Sequence, residues 1–152
     1  MAEADIAVIG LAVMGQNLIL NMNDHGFTVC AFNRTTKLVD DFLANEAKGT
    51  KIIGAHSIEE MCKKLKRPRR VMLLIKAGKP VDMMIDAIVP HLEEGDIIID
   101  GGNSEYTDSN RRAEQLASKG ILFVGCGVSG GEEGGFSGIY SSEIGNLVIT
   151  KA

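Results

Sequence analysis

The chain has 152 residues, 45% of them hydrophobic and 24% charged, with a formal net charge of -4. That length suits one domain with a single core, and the acidic balance excludes a general nucleic-acid binder. No stretch approaches the roughly 18 apolar residues of a membrane span, and Met1-Ala2-Glu3-Ala4-Asp5 lacks the basic and apolar regions of a secretory signal, so a cytoplasmic setting without membrane contact is expected.

Residues 5–9 are rich in Ile and Val and predict a strand. They lead into Gly10-Leu11-Ala12-Val13-Met14-Gly15 and then an apolar segment with helical spacing that runs to His25-Gly26. A strand, a glycine turn and a helix in that order form a phosphate-binding layout. Gly10 permits the sharp exit, Gly15 lets the helix pack closely, and the N–H groups at the helix start face a pyrophosphate. The middle position holds Ala12 where the strict fingerprint has glycine, so the pattern alone also admits a strand-to-helix turn that binds nothing.

Residues 28–32 predict a second strand, ending in Asn33-Arg34-Thr35. An NAD-binding domain places an Asp or Glu at this point, on the ribose 2′-hydroxyl. An amide, a guanidinium and a hydroxyl suit a 2′-phosphate instead, because Arg is a forked, permanently charged donor and an acid would repel the group. NADP is therefore the expected cofactor, set against an ordinary polar loop.

Residues 36–48 predict a helix on Leu38, Phe42 and Leu43, closed by Gly49, and residues 51–53 a short strand. Ser57 with Glu60 resembles a capping box opening a helix to Leu65. The run Lys63-Lys64-Leu65-Lys66-Arg67-Pro68-Arg69-Arg70 has six basic residues in eight and reads as a solvated connection in preference to a phosphate patch. Residues 71–75 are continuously apolar, the pattern of a strand buried on both faces. Lys76-Ala77-Gly78 follows at its carboxyl end, where open parallel sheets bind ligands, so Lys76 is placed to reach cofactor phosphate or ribose. Pro80 begins a helix with Val81, Met84, Ile85 and Ile88 on its apolar face, its methionines read as core filling.

Residues 96–100 predict the next strand, ending in Gly101-Gly102-Asn103-Ser104. The glycines allow close backbone approach to a ligand, and the Asn103 amide donates and accepts at once. Residues 105–119 read as a polar helix, and residues 121–125 as a further strand leading into Cys126-Gly127-Val128-Ser129-Gly130-Gly131-Glu132-Glu133-Gly134. The expected fold class is α/β: a doubly wound, mainly parallel, Rossmann-type sheet with right-handed crossovers, in a single domain.

Gly127-Val128-Ser129-Gly130-Gly131 also fits the nucleophile elbow of serine hydrolases, but that fold places its histidine after the serine and no histidine follows His91. Tyr106 and Tyr140 lack the lysine four positions later that short-chain dehydrogenases pair with tyrosine. Cys30, Cys62 and Cys126 are odd in number and widely spaced, and His25, His56 and His91 lack ligand spacing, so neither a disulfide framework nor a metal site is expected.

Taken together, Leu11-Ala12-Val13-Met14-Gly15-Gln16-Asn17-Leu18, Asn33-Arg34-Thr35, Lys76-Ala77-Gly78, Asp100-Gly101-Gly102-Asn103-Ser104 and Val128-Ser129-Gly130-Gly131-Glu132-Glu133-Gly134 resemble the cofactor domain of the 6-phosphogluconate dehydrogenase family, over about residues 3–134. The related 3-hydroxyisobutyrate dehydrogenases share the layout without the Gly-Gly-Asn-Ser and Gly-Glu-Glu-Gly pair. The resemblance implies NADP-dependent oxidative decarboxylation of 6-phosphogluconate to ribulose 5-phosphate and CO2, in the pentose phosphate pathway, by a family of homodimers. It implies that Gly10, Leu11, Ala12, Val13, Met14 and Gly15 hold the pyrophosphate and that Asn33, Arg34 and Thr35 hold the 2′-phosphate end. Ile75, Lys76 and Ala77 would line the cofactor, Asn103 would touch cofactor and sugar acid, and Ser129, Gly130 and Gly131 would bind substrate.

After the position of Gly134 the family continues with further sheet and an all-helical domain, which carries the catalytic lysine and glutamate and most of the dimer interface. Residues 135–152 resemble none of it. The expectation is a cofactor domain of residues 1–134 followed by a divergent tail of residues 135–152, as an extra strand or a disordered end, with the all-helical domain absent and no catalytic residue in this chain. Two functions follow: a shortened enzyme of the family, or a non-catalytic NADP-binding module or unstable truncated form.

Overall fold

The structure, a computed structural model, describes residues 3–126. Ser129, Gly130, Gly131 and the tail of residues 135–152 lie outside the described residues. Six strands form one parallel sheet: β1 (Ile6–Ile9), β2 (Val29–Phe32), β3 (Ile53–Gly54), β4 (Arg70–Leu73), β5 (Ile97–Asp100) and β6 (Leu122–Gly125). Five helices alternate with them: α1 (Val13–Asp24), α2 (Thr36–Ala44), α3 (Ile58–Lys63), α4 (Lys79–Ile88) and α5 (Tyr106–Ala117). The spatial order is β3-β2-β1-β4-β5-β6, the doubly wound arrangement in which the strand order reverses between β1 and β4. That reversal opens a crevice beyond the carboxyl ends of these two strands.

The central strands β1 and β4 are apolar apart from Arg70 at the start of β4, because both faces of the sheet are covered. On one face Ala7, Ile9, Cys30, Phe32, Val71, Leu73 and Ile98 join Met61 and Cys62 of α3, Val81, Ile85 and Ile88 of α4, and Leu116 of α5. On the other, Ile6, Val8, Val29, Ala31, Met72 and Ile99 join Leu18, Ile19 and Met22 of α1 with Val39 and Phe42 of α2. Among the described residues no helix is long and apolar enough to cross a membrane.

The strand expected at 71–75 runs from Arg70 to Leu73 and the helix expected at 105–119 from Tyr106 to Ala117; three other boundaries differ for a local reason. The strand expected at 51–53 is displaced to Ile53–Gly54. The Lys51 N–H is used by Asn23 Oδ1 at 3.3 Å and the Ile52 N–H by Thr50 Oγ1 at 3.2 Å, so both amides are taken by side chains and not by the sheet. Gly54 fits the strand because a Cβ there would lie 2.7 Å from side-chain atoms of Val39 and Leu43. The helix expected to reach Lys48 stops at Ala44, where Asn45 turns its side-chain amide back to the Asp41 carbonyl at 2.8 Å. The helix expected to reach Leu65 stops at Lys63, although its start agrees: Ser57 Oγ accepts the Glu60 N–H at 3.0 Å.

The basic run is more than a solvated connection. Lys63, Lys64 and Lys66 pair with Glu59, Glu60 and Asp5 at 2.8, 2.8 and 3.0 Å. Arg69 is largely buried against Asp96, which also accepts the Arg69 and Glu93 N–H groups, each at 2.8 Å. A buried carboxylate needs such partners to remain charged, and Arg69 was in the sequence as one cation of six.

Candidate cofactor-binding site

The glycine turn is built by close approach. Gly10 has φ +114° and a Cβ there would stand 2.2 Å from the Leu74 carbonyl oxygen. A Cβ on Gly15 would stand 1.9 Å from the Gly10 carbonyl oxygen, so α1 packs onto the end of β1 without room for a methyl group. Ala12 is the N-cap of α1 in extended conformation, and its side chain makes no capping bond. No acidic residue stands in the first turn, and the first N–H groups of a helix have no partner within it. Such an end accepts an anion.

Asn33 joins this turn to the loop after β2. Its Oδ1 accepts the Leu11 N–H at 3.0 Å and its Nδ2 donates to the Thr35 carbonyl at 3.2 Å. Gln16 adds a second brace, donating from Nε2 to the Leu11 carbonyl at 2.9 Å. Arg34 and Thr35 are exposed beside this brace. Thr35 is the N-cap of α2, again without a side-chain capping bond.

A cleft of about 410 Å³ lies over the ends of β1 and β2. Ile9, Phe32, Ile58, Ile75, Pro80, Met83, Met84 and Ala87 give it apolar walls, while Asn33, Arg34, Thr36 and His56 bring polar groups to it. No carboxylate is among these residues. Of the residues singled out from sequence, Asn33, Arg34 and Ile75 meet in this cleft; Gly10 to Gly15, Thr35, Lys76, Ala77 and Asn103 lie outside its lining. The methionines of α4 are not simply core filling, since Met83 is 49% exposed and lines the cleft with Met84. His56, read from sequence only as lacking metal-ligand spacing, is exposed, and its Nε2 is 2.6 Å from Asp40 Oδ1. His56 reaches the cleft from the loop after β3, and only the topology brings that loop there.

Beyond β4 and β5 a second loop pair faces the same end of the sheet. Lys76 and Ala77 are exposed. Asn103 is exposed and has φ +59°, the one non-glycine residue in the left-handed region among those described; asparagine tolerates it better than most side chains. A Cβ on Gly102 would lie 2.5 Å from the Ile75 carbonyl oxygen, so the two loops touch backbone to backbone. Beneath them Arg112, only 1% exposed, donates from Nε to Asp82 at 2.8 Å and from Nη2 to the Gly78 carbonyl at 3.1 Å. Its Nη1 donates to Ser104 Oγ at 3.1 Å and to Asp100 at 3.4 Å. Asp100 in turn accepts the Ser104 hydroxyl and the Gly102 N–H. The Arg112 hydrogen bond, helped by Arg111, holds the Asp82 carboxyl below its ordinary range, and Asp82 raises the Arg112 guanidinium in return.

Burial pushes the Cys30 thiol up to about 12 and the Cys62 thiol up to about 11, and it also raises Cys126. These thiols are apolar filling in chemical terms. Among the described residues no group of three or more His, Cys, Asp or Glu side chains is placed to hold a metal ion.

Residues 5–143 match the family described as the NAD binding domain of 6-phosphogluconate dehydrogenase. The chain is 96% identical over 134 residues to the decarboxylating 6-phosphogluconate dehydrogenase of Caenorhabditis elegans, a match covering 88% of this chain and 28% of that protein. It is 76% identical over 133 residues to the enzyme of Cunninghamella elegans, covering 88% of this chain and 27% of that one. Among solved structures, Plasmodium falciparum 6-phosphogluconate dehydrogenase, known in its apo form and in complex with its cofactor NADP+ and its substrate, superposes with a TM-score of 0.82 at 45% identity. It covers 89% of this chain and 29% of its own. The chain thus spans a little over a quarter of the length of these relatives, and it belongs to the family of the NAD-binding domain of 6-phosphogluconate dehydrogenase.

Proposed function

We propose that this chain binds NADP and supplies the cofactor half of the oxidative decarboxylation of 6-phosphogluconate to ribulose 5-phosphate and CO2. The observation that carries this reading is the Asn33 brace, which joins the acid-free N-terminus of α1 to a loop that carries the exposed Arg34. The pyrophosphate would lie against the turn of Gly10, Leu11, Ala12, Val13, Met14 and Gly15, where the Cβ clashes at Gly10 and Gly15 account for the glycines and where the first N–H groups of α1 have no partner within the helix. The apolar cleft suits a flat base, and Arg34 with Thr35 suits a 2′-phosphate, which a carboxylate at that rim would repel. Asn33 then acts chiefly by holding Leu11 and Thr35 in place. Ile75, Lys76 and Ala77 would line the cofactor beyond β4, and Asn103 would stand between cofactor and sugar acid. Ser129, Gly130 and Gly131 complete the substrate side of the proposal.

When bound, NADP accepts the hydride that oxidises the alcohol. The reaction also needs a base for the hydroxyl proton and an acid for the enol. Lys76 serves as a cofactor contact in this reading, and the 152-residue chain by itself turns over little or no 6-phosphogluconate. The cytoplasm and a homodimeric assembly belong to the same proposal, on the resemblance to the family. Retention on immobilised adenosine 2′,5′-bisphosphate tests the binding claim: elution by NADPH but not by NADH supports it, and passage without retention contradicts it.

A further inference from the structure

We propose that Arg112 is a positioning residue that fixes the loops of residues 76–78 and 101–104 as one unit, and that through them it sets affinity for the nicotinamide half of the cofactor. This rests on the NADP-binding reading. In a doubly wound sheet each half of the strand order serves one nucleotide. Arg34, at the end of β2, marks the β1-β2-β3 half as the 2′-phosphate side, with Ile75 and α4 closing the cleft from across the switch point, which leaves the loops beyond β4 and β5 for the nicotinamide nucleotide.

Arg112 lies under that second half and spans both of its loops. One edge of the guanidinium holds the Gly78 carbonyl and Asp82, at the end of the first loop and the start of α4. The other holds Ser104 and Asp100, at the two ends of the second loop. A planar fork with five donors can meet all four acceptors at fixed angles, and an ammonium group cannot. The contact between Gly102 and the Ile75 carbonyl leaves the loops no room to slide past one another. Asn103 sits at the crest of the second loop with φ +59°, a conformation that surrounding structure must enforce. Arg112 itself is 1% exposed and cannot be a surface contact for a ligand, so it acts through these loops.

The test compares two ligands on the 152-residue chain: NADPH, which spans both halves of the site, and adenosine 2′,5′-bisphosphate, which lacks the nicotinamide half. Arg112→Lys keeps the charge and loses the fork; Ser104→Ala loses the hydroxyl that bridges Arg112 and Asp100. Arg112→Lys is expected to weaken NADPH about tenfold, the scale of one charged hydrogen bond, while adenosine 2′,5′-bisphosphate binds as in the wild type. Ser104→Ala shifts the same ratio in the same direction by a smaller factor, and it decides the matter if Arg112→Lys does not fold. Equal weakening of both ligands would mean that Arg112 is only a structural anchor, and an unchanged ratio in a folded Ser104→Ala chain would equally overturn the proposal. Wild-type chain that binds neither ligand overturns the NADP reading and this inference with it. Wild-type chain that binds both, with the ratio unmoved in the variants, overturns this inference alone.

Discussion

Asn33 Oδ1 accepts the Leu11 N–H at 3.0 Å across 22 positions of sequence. The bond fixes the glycine turn after β1 against the loop after β2, and so ties together the proposed pyrophosphate and 2′-phosphate ends of the site. Leu11 is 3% exposed, and an unsatisfied amide there has little access to water. Asn33→Ala is expected to cost about 1–3 kcal/mol of stability and to weaken NADPH, read from urea unfolding and ligand titration. Asn33→Asp keeps the acceptor while placing a carboxylate by Arg34. It should lose less stability than Asn33→Ala, since only the Nδ2 bond to the Thr35 carbonyl goes, yet lose preference for NADPH over NADH; full preference in that variant would contradict the account of the rim.

Gly15→Ala tests the contact between α1 and β1. The new Cβ would stand 1.9 Å from the Gly10 carbonyl oxygen, a backbone atom that cannot swing aside. Overpacking of this kind costs roughly 1–3 kcal/mol, and here it would also shift the helix N-terminus away from the proposed phosphate position. Loss of both stability and NADPH affinity is expected. A variant with wild-type melting temperature and affinity would show that the helix has slack.

The Asp82–Arg112 pair predicts a pH dependence. Asp82 titrates below its ordinary value of 3.8 because Arg112 donates to it. A depressed carboxylate contributes stability above its unfolded pKa and loses it as pH falls through the lower native one. Asp82→Asn should therefore be less stable than wild type near neutrality, with the gap closing only below pH 3.8. A gap that stays constant into acid would mean that the carboxylate charge contributes nothing.

Cys30, Cys62 and Cys126 are buried, with their thiols shifted away from the reactive thiolate. A chromogenic disulfide reagent at mildly alkaline pH should leave the native chain nearly unlabelled and titrate three thiols after denaturation. Rapid labelling of native protein would place at least one of them at an accessible site.

The sheet could be read from sequence because its strands are buried on both faces, and continuous runs such as residues 71–73 have few other structural uses. The glycine turn was readable for the same kind of reason, since Gly10 and Gly15 answer to backbone atoms a few ångströms away. β3 was misplaced because two residues carry no period, and its position depends on side-chain atoms of Asn23 and Thr50. Arg112 was missed altogether. It sits in a helix that is polar on average, and its four acceptors come from two other segments of the chain, residues 78–82 and 100–104. Arg69 escaped notice likewise, because only the fold brings Asp96 beside it. Asn33 was singled out for its position and chemistry, but that its amide would be engaged with Leu11 required the loop geometry.

The central claim, that this chain is an NADP-binding domain selective through Arg34, is met most directly by titrating wild-type and Arg34→Ala chains with NADPH and with NADH, following nicotinamide fluorescence in a protein that has no tryptophan. The expected result is saturable binding of NADPH, at least about tenfold tighter than NADH, with the preference abolished in Arg34→Ala. Equal affinity for the two cofactors, a preference that survives Arg34→Ala, or no binding of either would contradict it.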